Sequence, residues 1–353
     1  MKVYLRPIGI IWGANAAQAV AEGIALPLCG GPAAFLAAQI IEGEPGATKY
    51  AIARAPTLTA IDEPSVQTLL AKLTNPRPSI AGLEWSRPRI MGILNVTPDS
   101  FSDGGQHNGA DVAAAHARVL VGEGADIIDI GGESTRPGAP VVSFEDERAR
   151  VMPVLERLKD LAAPISIDTR KAAIMRDAVG AGAAIINDVS ALTFDPESLA
   201  AAATLKAPVI LMHAQGTPQT MQDNPSYRDV LLEVYDHLEA RIEAAVAAGV
   251  TREAIVVDPG IGFGKTFDHN LALMEGVSLF HGLGAPVLIG ISRKGVTGQL
   301  AGEPDPKARD FGSVAAAALA ANQGVQIIRV HNAAATRQAL RVWQAASRGH
   351  EGT

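Results

Sequence analysis

Short, largely apolar runs recur along the chain from Arg89 onward, and each is closely followed by a polar or titratable residue. The eight runs are Ile90–Leu94, Ile127–Ile130, Ile165–Ile167, Ala184–Ile186, Val209–Met212, Ile255–Val257, Val287–Ile291 and Ile327–Val330. The residues that follow them include Asn95, Glu133, Asp168, Asn187, His213, Asp258, Ser292 and His331. Runs of this length, bounded by polar residues, are typical of buried β-strands.

Longer stretches of helical spacing separate these runs. They include Val112–Gly122, Phe144–Leu161, Lys171–Val179, Tyr227–Ala248 and Phe311–Asn322. Alternating strands and helices indicate an α/β fold with a parallel sheet, because parallel strands need long crossover connections. Eight such units predict a closed (β/α)₈ TIM barrel, in which the active site lies at the carboxyl ends of the strands.

The first 85 residues do not follow this alternation, so we divide the chain into residues 1–85 and a barrel of residues 86–353. The segment predicts a strand at Val3–Ile11, a helix at Ala14–Gly23 and a strand pair formed by Phe35–Ile41 and Tyr50–Arg54. A helix is predicted at Ser65–Leu73, with Ser65 as its N-cap. We expect a small α/β extension of unknown role that packs against the barrel, away from its catalytic loops, or against another subunit.

Composition excludes several classes of function. The chain of 353 residues has a net charge of −7 and no basic block, which disfavours nucleic-acid binding. Its single cysteine, Cys29, cannot form an internal disulfide, as suits a reducing cytoplasm. The apolar segment that begins at Ile8 is interrupted by Asn15, Gln18 and Glu22, too early for a membrane span. We therefore expect a cytoplasmic protein that binds neither nucleic acid nor membrane.

Cationic residues gather at the predicted strand ends. Arg136 lies in a loop flanked by glycines after the second run, and Lys294, Arg329 and His331 follow or close the seventh and eighth runs. One arginine would ordinarily be a surface ion pair, but convergence from three loops favours a phosphate group. Asn95, at the end of the first run, could bind a hard cation together with phosphate oxygens and water.

Carboxylates at other strand ends indicate a different ligand. Asp168 and Asp258 end nearly continuous apolar runs, and Asn187 ends the run between them. A buried carboxylate needs hydrogen-bond donors, which a heterocycle with adjacent N–H groups would supply. Internal pairing with Arg170, Lys171 or backbone amides is the alternative for any single aspartate.

Two further features have simpler interpretations. The glycine-rich stretch Gly260–Thr266 resembles a phosphate-binding P-loop, but Pro259 occupies the position of the required first glycine. His213 has no second histidine or acidic residue at metal-ligand spacing, so we favour a structural hydrogen-bonding role for it.

From Pro88 to Ala346 the chain resembles the bacterial dihydropteroate synthases. The resemblance depends mainly on Met91–Gly105 (MGILNVTPDSFSDGG) and Asp126–Gly138 (DIIDIGGESTRPG). Shorter motifs support it: Ser166–Thr169 (SIDT), Ile185–Asp188 (IIND), Asp258–Lys265 (DPGIGFGK), Ser292–Lys294 (SRK) and Arg329–His331 (RVH).

This resemblance implies a homodimeric transferase of folate biosynthesis. Such an enzyme joins p-aminobenzoate to 6-hydroxymethyl-7,8-dihydropterin diphosphate and releases 7,8-dihydropteroate and pyrophosphate. The resemblance assigns the pterin to Asp168, Asn187, Asp258 and Lys294, with Arg329 stacked on its ring. It assigns the diphosphate and Mg²⁺ to Asn95, Arg136, Arg329 and His331, and the p-aminobenzoate site to Thr135, Pro137, Phe263 and Lys294.

Departures from the family pattern are few. Gly295 stands where relatives commonly have serine, and Arg170 stands where a smaller residue is common. Two other functions compete with this interpretation: a pterin-binding methyltransferase barrel, which has no need of cations for a diphosphate, and a catalytically silent relative. The cationic residues argue against the first, and the presence of Asn95, Asp168, Lys294 and His331 argues against the second.

Overall fold

The computed structural model describes residues 2–97 and 106–347. The amino-terminal extension is an antiparallel sheet with three helices. Its elements are β1 (Val3–Trp12), α1 (Gly13–Ala21), β2 (Leu26–Leu28), β3 (Ala33–Glu44), β4 (Ala47–Arg54), α2 (Ala55–Thr59) and α3 (Pro64–Thr74). Strand β3 pairs with β1 along one edge and with both β2 and β4 along the other. The predicted strand pair is β3 with β4.

The predicted N-cap of α3 is wrong. The helix begins at Pro64, and the side chain of Glu63 accepts a hydrogen bond from the backbone N–H of Val66. Proline suits the first helical position because it has no N–H to satisfy and its φ is already helical. Ser65 therefore lies within the first turn, where its hydroxyl donates to the Glu63 carboxylate.

The barrel has eight parallel strands. They are β5 (Arg89–Asn95), β6 (Ile127–Gly131), β7 (Ile165–Asp168), β8 (Ile185–Asp188), β9 (Val209–Met212), β10 (Ile255–Asp258), β11 (Leu288–Ile289) and β12 (Ile327–Val330). Their order is β10-β9-β8-β7-β6-β5-β12-β11, and a parallel bridge between Val257 and Val287 joins the two outer strands. The structure thus confirms the predicted (β/α)₈ fold class.

The barrel helices are α4 (Gln106–Glu123), α5 (Phe144–Arg157), α6 (Ala172–Gly180), α7 (Ser198–Leu205), α8 (Val230–Ala247), α9 (Phe267–Glu275), α10 (Gly295–Ala301), α11 (Asp310–Asn322) and α12 (Ala333–Ser347). Short 3₁₀ helices lie at Arg252–Ala254, Val277–Leu283 and Pro306–Ala308. No helix of the described ranges is both long enough and apolar enough to cross a membrane.

The amino-terminal end of the barrel is closed by apolar side chains. Ile80, which is 1% exposed, packs among inward-facing residues of the strands, with Leu83 and Trp85 beside it. The inward-facing residues are Met91, Ile127, Ile185, Ile210, Val256, Leu288 and Ile327. By packing, residues 80–85 therefore belong with the barrel. Asn95, Asp168, Asn187 and Asp258 lie at or next to the opposite, carboxyl ends of their strands.

The extension packs against the outside of the barrel. Tyr4 donates a hydrogen bond to Asp236 of α8 at 2.9 Å and meets the ring of Tyr235 edge-on. Further along β1, the Trp12 indole N–H donates to the carbonyl oxygen of Asn322 at 3.3 Å, and its ring contacts Trp343. Strand β1 therefore runs from α8 to the carboxyl ends of α11 and α12.

Candidate active site

An arginine links two carboxylates inside the carboxyl-terminal end of the barrel. Arg329 of β12 donates from Nε to Asp129 of β6 at 2.6 Å and from Nη2 to Asp168 of β7 at 2.9 Å. Asn187 of β8 donates to both oxygens of Asp129 at 3.2 and 3.3 Å. The structure thus brings three predicted site residues together, Asp168, Asn187 and Arg329.

Asp129 joins these three residues and was not among the residues expected at the site. It lies one residue before the end of an apolar run, not after it. The signal that could have found it is the alternation of side chains along a strand. Asp129 is two residues after Ile127, just as Asn187 follows Ile185 and Arg329 follows Ile327, and these isoleucines face the barrel interior.

Asp258 and Lys294 form the neighbouring part of the site. Asp258 is 6% exposed and accepts a hydrogen bond from the Gly260 N–H at 2.7 Å. The Lys294 ammonium donates to the Ile261 carbonyl oxygen and lies 4.6 Å from the centre of the Phe263 ring. The structure therefore places Phe263 beside Lys294, as predicted for two residues of one subsite.

Burial shifts the pKa values of these groups. It lowers the pKa of Lys294 to about 8, although the Asp258 carboxylate opposes the shift. Burial and the adjacent Asp129 carboxylate raise the pKa of Asp168, against the influence of Arg329. Burial likewise raises the pKa of Asp258. Shifted ionisable groups that converge at the end of a barrel are typical of a functional site.

The cationic residues border this cluster. His331 shares a hydrogen bond with the Ser292 hydroxyl at 3.0 Å, and burial together with the charges of Arg293, Arg329 and Arg136 lowers its pKa to about 3. The imidazole is therefore neutral at physiological pH. Arg136 itself is exposed in the loop after β6, between the partly exposed Thr135 and the exposed Pro137.

Asn95 ends β5 and is paired in register with Gly131 at the end of β6. It lies at the same end of the barrel as the carboxylates and is partly exposed. Residues 98–105 of the loop that follows lie outside the described residues. The described ranges contain no group of three or more His, Cys, Asp or Glu side chains able to hold a metal ion.

Two predicted strand-end residues have internal partners instead. The Glu133 carboxylate forms salt bridges with Arg170 at 2.8 Å and with Lys171 at 3.0 Å. His213 lies 2.9 Å from the Lys265 ammonium and contacts the ring of His237. Burial and the charge of Lys265 strongly lower the pKa of His213. These contacts agree with a structural role for His213.

The glycine-rich stretch after β10 approaches other backbone. A Cβ on Gly260 would lie 1.9 Å from the His213 carbonyl oxygen, and one on Gly264 would lie 2.4 Å from that of Gln215. Both glycines have positive φ, at 68° and 65°, which favours glycine. Gly262 lies against the side chain of Lys294. The glycines therefore allow close packing and the placement of Lys294.

Comparison with known proteins extends these observations. The family model described as pterin binding enzyme matches residues 91–331. The dihydropteroate synthase of Neisseria meningitidis serogroup C is 50% identical over 262 residues, which covers 73% of this chain and 93% of the relative. That of Escherichia coli K12 is 48% identical over 264 residues, covering 74% and 93%. The chain belongs to the dihydropteroate synthase family.

Solved structures of the family agree with this assignment. Dihydropteroate synthase from Xanthomonas albilineans with 4-aminobenzoic acid is 50% identical, with a TM-score of 0.72, and the match covers 76% of this chain and 96% of the other. The same organism's enzyme in complex with 7,8-dihydropteroate is 47% identical, with a TM-score of 0.71, covering 78% and 100%. The family match at residues 91–331 leaves out the amino-terminal extension.

Proposed function

We propose that this chain condenses p-aminobenzoate with 6-hydroxymethyl-7,8-dihydropterin diphosphate, giving 7,8-dihydropteroate and pyrophosphate for folate biosynthesis. The observation that carries the proposal is the network of Arg329, Asp129, Asp168 and Asn187 beside Asp258 and Lys294, in a chain half identical to dihydropteroate synthases. A methyltransferase would use similar carboxylates but would not need Arg136 and His331 at the border of the site.

The carboxylates and Asn187 would bind the pterin. Asp258 and Asp168 are buried acceptors, and the pterin presents a row of N–H donors of the kind that carboxylates bind strongly. Lys294 lies close enough to Asp258 for the carboxylate to stabilise its charge. It can therefore donate to an acceptor on the pterin ring while Asp258 accepts from the ring N–H groups. The planar guanidinium of Arg329 is suited to stacking on a heterocycle.

The border residues would bind the diphosphate. Arg136 and Arg329 supply positive charge, and neutral His331 supplies an N–H donor once its Nδ1 accepts the Ser292 hydroxyl. The amide oxygen of Asn95 fits one position in the all-oxygen shell of Mg²⁺, with phosphate oxygens and water as the other ligands. A bound Mg²⁺ would offset the charge that gathers on the departing pyrophosphate.

The reaction exchanges one bond for another at the pterin methylene. The C–O bond to the diphosphate breaks and its electron pair leaves with pyrophosphate, which makes the methylene electron-poor. The carboxylate of Asp168 would stabilise the positive charge on the ring system. The p-aminobenzoate nitrogen, held between Thr135, Pro137, Phe263 and Lys294, then forms the C–N bond and loses a proton. Orientation and charge placement supply the catalysis without a covalent enzyme intermediate.

We also propose a cytoplasmic homodimer. Support for the dimer comes from an exposed apolar surface on α11 and α12, where Phe311 is 92%, Leu319 63% and Val342 72% exposed. Apolar side chains this exposed on adjacent helices are typical of protein interfaces. Support for the compartment comes from Cys29, a buried thiol with no second cysteine to pair with.

One assay tests the reaction. The purified full-length chain is given the pterin diphosphate with and without p-aminobenzoate, and pyrophosphate and dihydropteroate are both measured. We expect both products in equal amounts, and only when both substrates are present. Pyrophosphate without dihydropteroate, or no product under conditions in which an E. coli relative turns over, would contradict the proposal.

A further inference from the structure

A buried carboxylate closes the loop that follows β6. Oε1 of Glu133 accepts the backbone N–H of Val142 at 3.0 Å and Nη2 of Arg170 at 2.8 Å. Its Oε2 accepts the Lys171 ammonium at 3.0 Å, and the Glu133 side chain is only 2% exposed. One carboxylate therefore joins the start of the loop, its end and the segment after β7.

We call the two ends of this loop, Gly132–Glu133 and Val142, the loop neck. Its first part is also held by α5. Nη1 of Arg150, on α5, donates to the Gly132 carbonyl oxygen at 2.8 Å. Gly132 packs so closely on α5 that a Cβ there would lie 2.7 Å from a methyl group of Val151. Lys171 also reaches Glu147 of α5 at 2.6 Å. Both ends of residues 134–141 are thus held by buried or partly buried charge-assisted hydrogen bonds, which are stronger than neutral ones.

The body of the loop carries Thr135, Arg136 and Pro137. Its contact with the rest of the chain includes a hydrogen bond from the Gly138 N–H to the Pro218 carbonyl oxygen at 2.8 Å. The three residues themselves are partly or fully exposed. Their position relative to Phe263 and Lys294 therefore depends on how firmly the neck is held.

Arg170 makes two of the hydrogen bonds that hold the Glu133 carboxylate. Its side chain is 5% exposed, and its guanidinium carbon lies 4.0 Å from the centre of the Phe194 ring. Stacked on Phe194, the planar guanidinium presents both Nη2 and Nε to Glu133. Burial opposes ionisation of Glu133, but hydrogen bonds from Arg170, Val142 and Lys171 outweigh it and lower its pKa.

We infer that Arg170 is a positioning residue for the p-aminobenzoate subsite, acting through Glu133 on the loop that bears Thr135 and Pro137. The inference rests on the proposed function. Lys171 cannot replace Arg170, because its ammonium is divided between Glu133 and Glu147 and its charge does not fix the plane of a carboxylate. Arg170 fixes that plane, and hence the acceptor that holds Val142.

The test is the substitution Arg170→Ser in the full-length chain. If the loop then occupies its binding geometry about a tenth of the time, the KM for p-aminobenzoate rises about tenfold. The affinity for a pterin analogue, measured by calorimetry, should stay within twofold, because Asp168, Asn187 and Asp258 are untouched. Hydrogen exchange across residues 134–142 should accelerate, since the Val142 N–H loses a firmly held acceptor.

The matched control is Arg148→Ser. Arg148 of α5 makes an ion pair of similar length with Asp177 of α6, at 2.6 Å, but this pair lies at the surface, where the Arg148 side chain is 52% exposed. This variant should leave the KM for p-aminobenzoate and the exchange of residues 134–142 unchanged. If Arg170→Ser does not fold, Phe194→Ala removes only the stacking surface of a 42% exposed ring and should give the same effects at smaller size.

Several results would overturn the inference. One is a p-aminobenzoate KM within twofold of the parent together with unchanged exchange in residues 134–142. Another is an equal loss of pterin affinity, which would mean that Arg170 acts on Asp168 instead. The exchange measurement needs no turnover. It therefore still tests the loop neck if the parent chain fails to form dihydropteroate, a failure that would count against the proposed function alone.

Discussion

Replacing Asp258 by asparagine would remove one negative charge from the pterin end of the barrel with little change of shape. The side chain is 6% exposed, and its Oδ1 accepts the Gly260 N–H at 2.7 Å, a bond that the asparagine oxygen can keep. An amide can accept with one oxygen only and brings two N–H groups toward a ligand that itself donates. We therefore expect loss of pterin affinity without collapse of the loop.

The magnitude follows from the cost of breaking a buried hydrogen bond to a charged group, about 2–4 kcal/mol. At 1.4 kcal/mol per factor of ten, this is roughly a 30- to 700-fold rise in Kd. The assay is calorimetric titration of a pterin analogue that lacks the diphosphate, so that Arg136 and His331 do not contribute.

The matched control is Asp188→Asn. Asp188 is also buried at a strand end, but its carboxylate accepts the Ser190 N–H at 2.7 Å, the Ser190 hydroxyl at 2.6 Å and the Leu192 N–H at 3.1 Å. It is thus satisfied within its own loop, and the variant should lose stability while pterin affinity stays within about threefold. Equal affinities for the parent and Asp258→Asn would refute the assignment of Asp258 to the pterin.

Three further predictions concern other parts of the molecule. Arg136→Ala should lower kcat by roughly 10²–10³-fold, by analogy with loss of an oxyanion donor, with little effect on pterin affinity. A kcat within twofold of the parent would mean that Arg136 does not contact the leaving pyrophosphate. Burial lowers the pKa of Lys294 to about 8, so its charge is lost as pH rises through that point. Pterin affinity should therefore fall over the same pH range. If Lys294→Met shows the same fall, another group is responsible for the pH dependence. A chain that starts at Ser79 keeps Ile80 in the barrel but exposes Tyr235, which Tyr4 covers in the full chain. Its melting temperature should therefore drop, while the KM values for both substrates stay near those of the parent. A tenfold rise in either KM at an unchanged melting temperature would make the extension part of the site.

The barrel could be predicted from the sequence because its strands are short, apolar and regularly spaced, and because chemistry collects where such strands end. Asp168 and Asp258 are the last residues of their strands, so the ends of the apolar runs point to them. Asp129 lies inside its strand, and only the alternation of inward and outward side chains shows that it faces the same interior.

Other features depend on contacts between distant segments, which no local pattern reveals. Glu133 looked like a candidate site residue because it follows β6, but Arg170 and Lys171, contributed by the segment after β7, bind it internally. The long pairing of β3 with β1 was likewise not predicted, because the sequence indicates a strand at Val3–Ile11 but not its partner. Gly9 has a positive φ of 63° and lies against Leu36, between two stretches that pair in the same register.

The sharing of one cation between two carboxylates has a consequence for catalysis. Asp129 and Asp168 both pair with Arg329, so two negative charges face one positive charge in a buried site. Burial, together with the adjacent Asp129 carboxylate, raises the pKa of Asp168. Holding both carboxylates ionised here costs free energy while the ligand is neutral. In the proposed reaction the pterin becomes cationic as pyrophosphate departs, and the same imbalance would then attract it. Because the carboxylates are already fixed by Arg329 and Asn187, little reorganisation would be needed at that moment, and the stabilisation would favour the transition state over bound substrate.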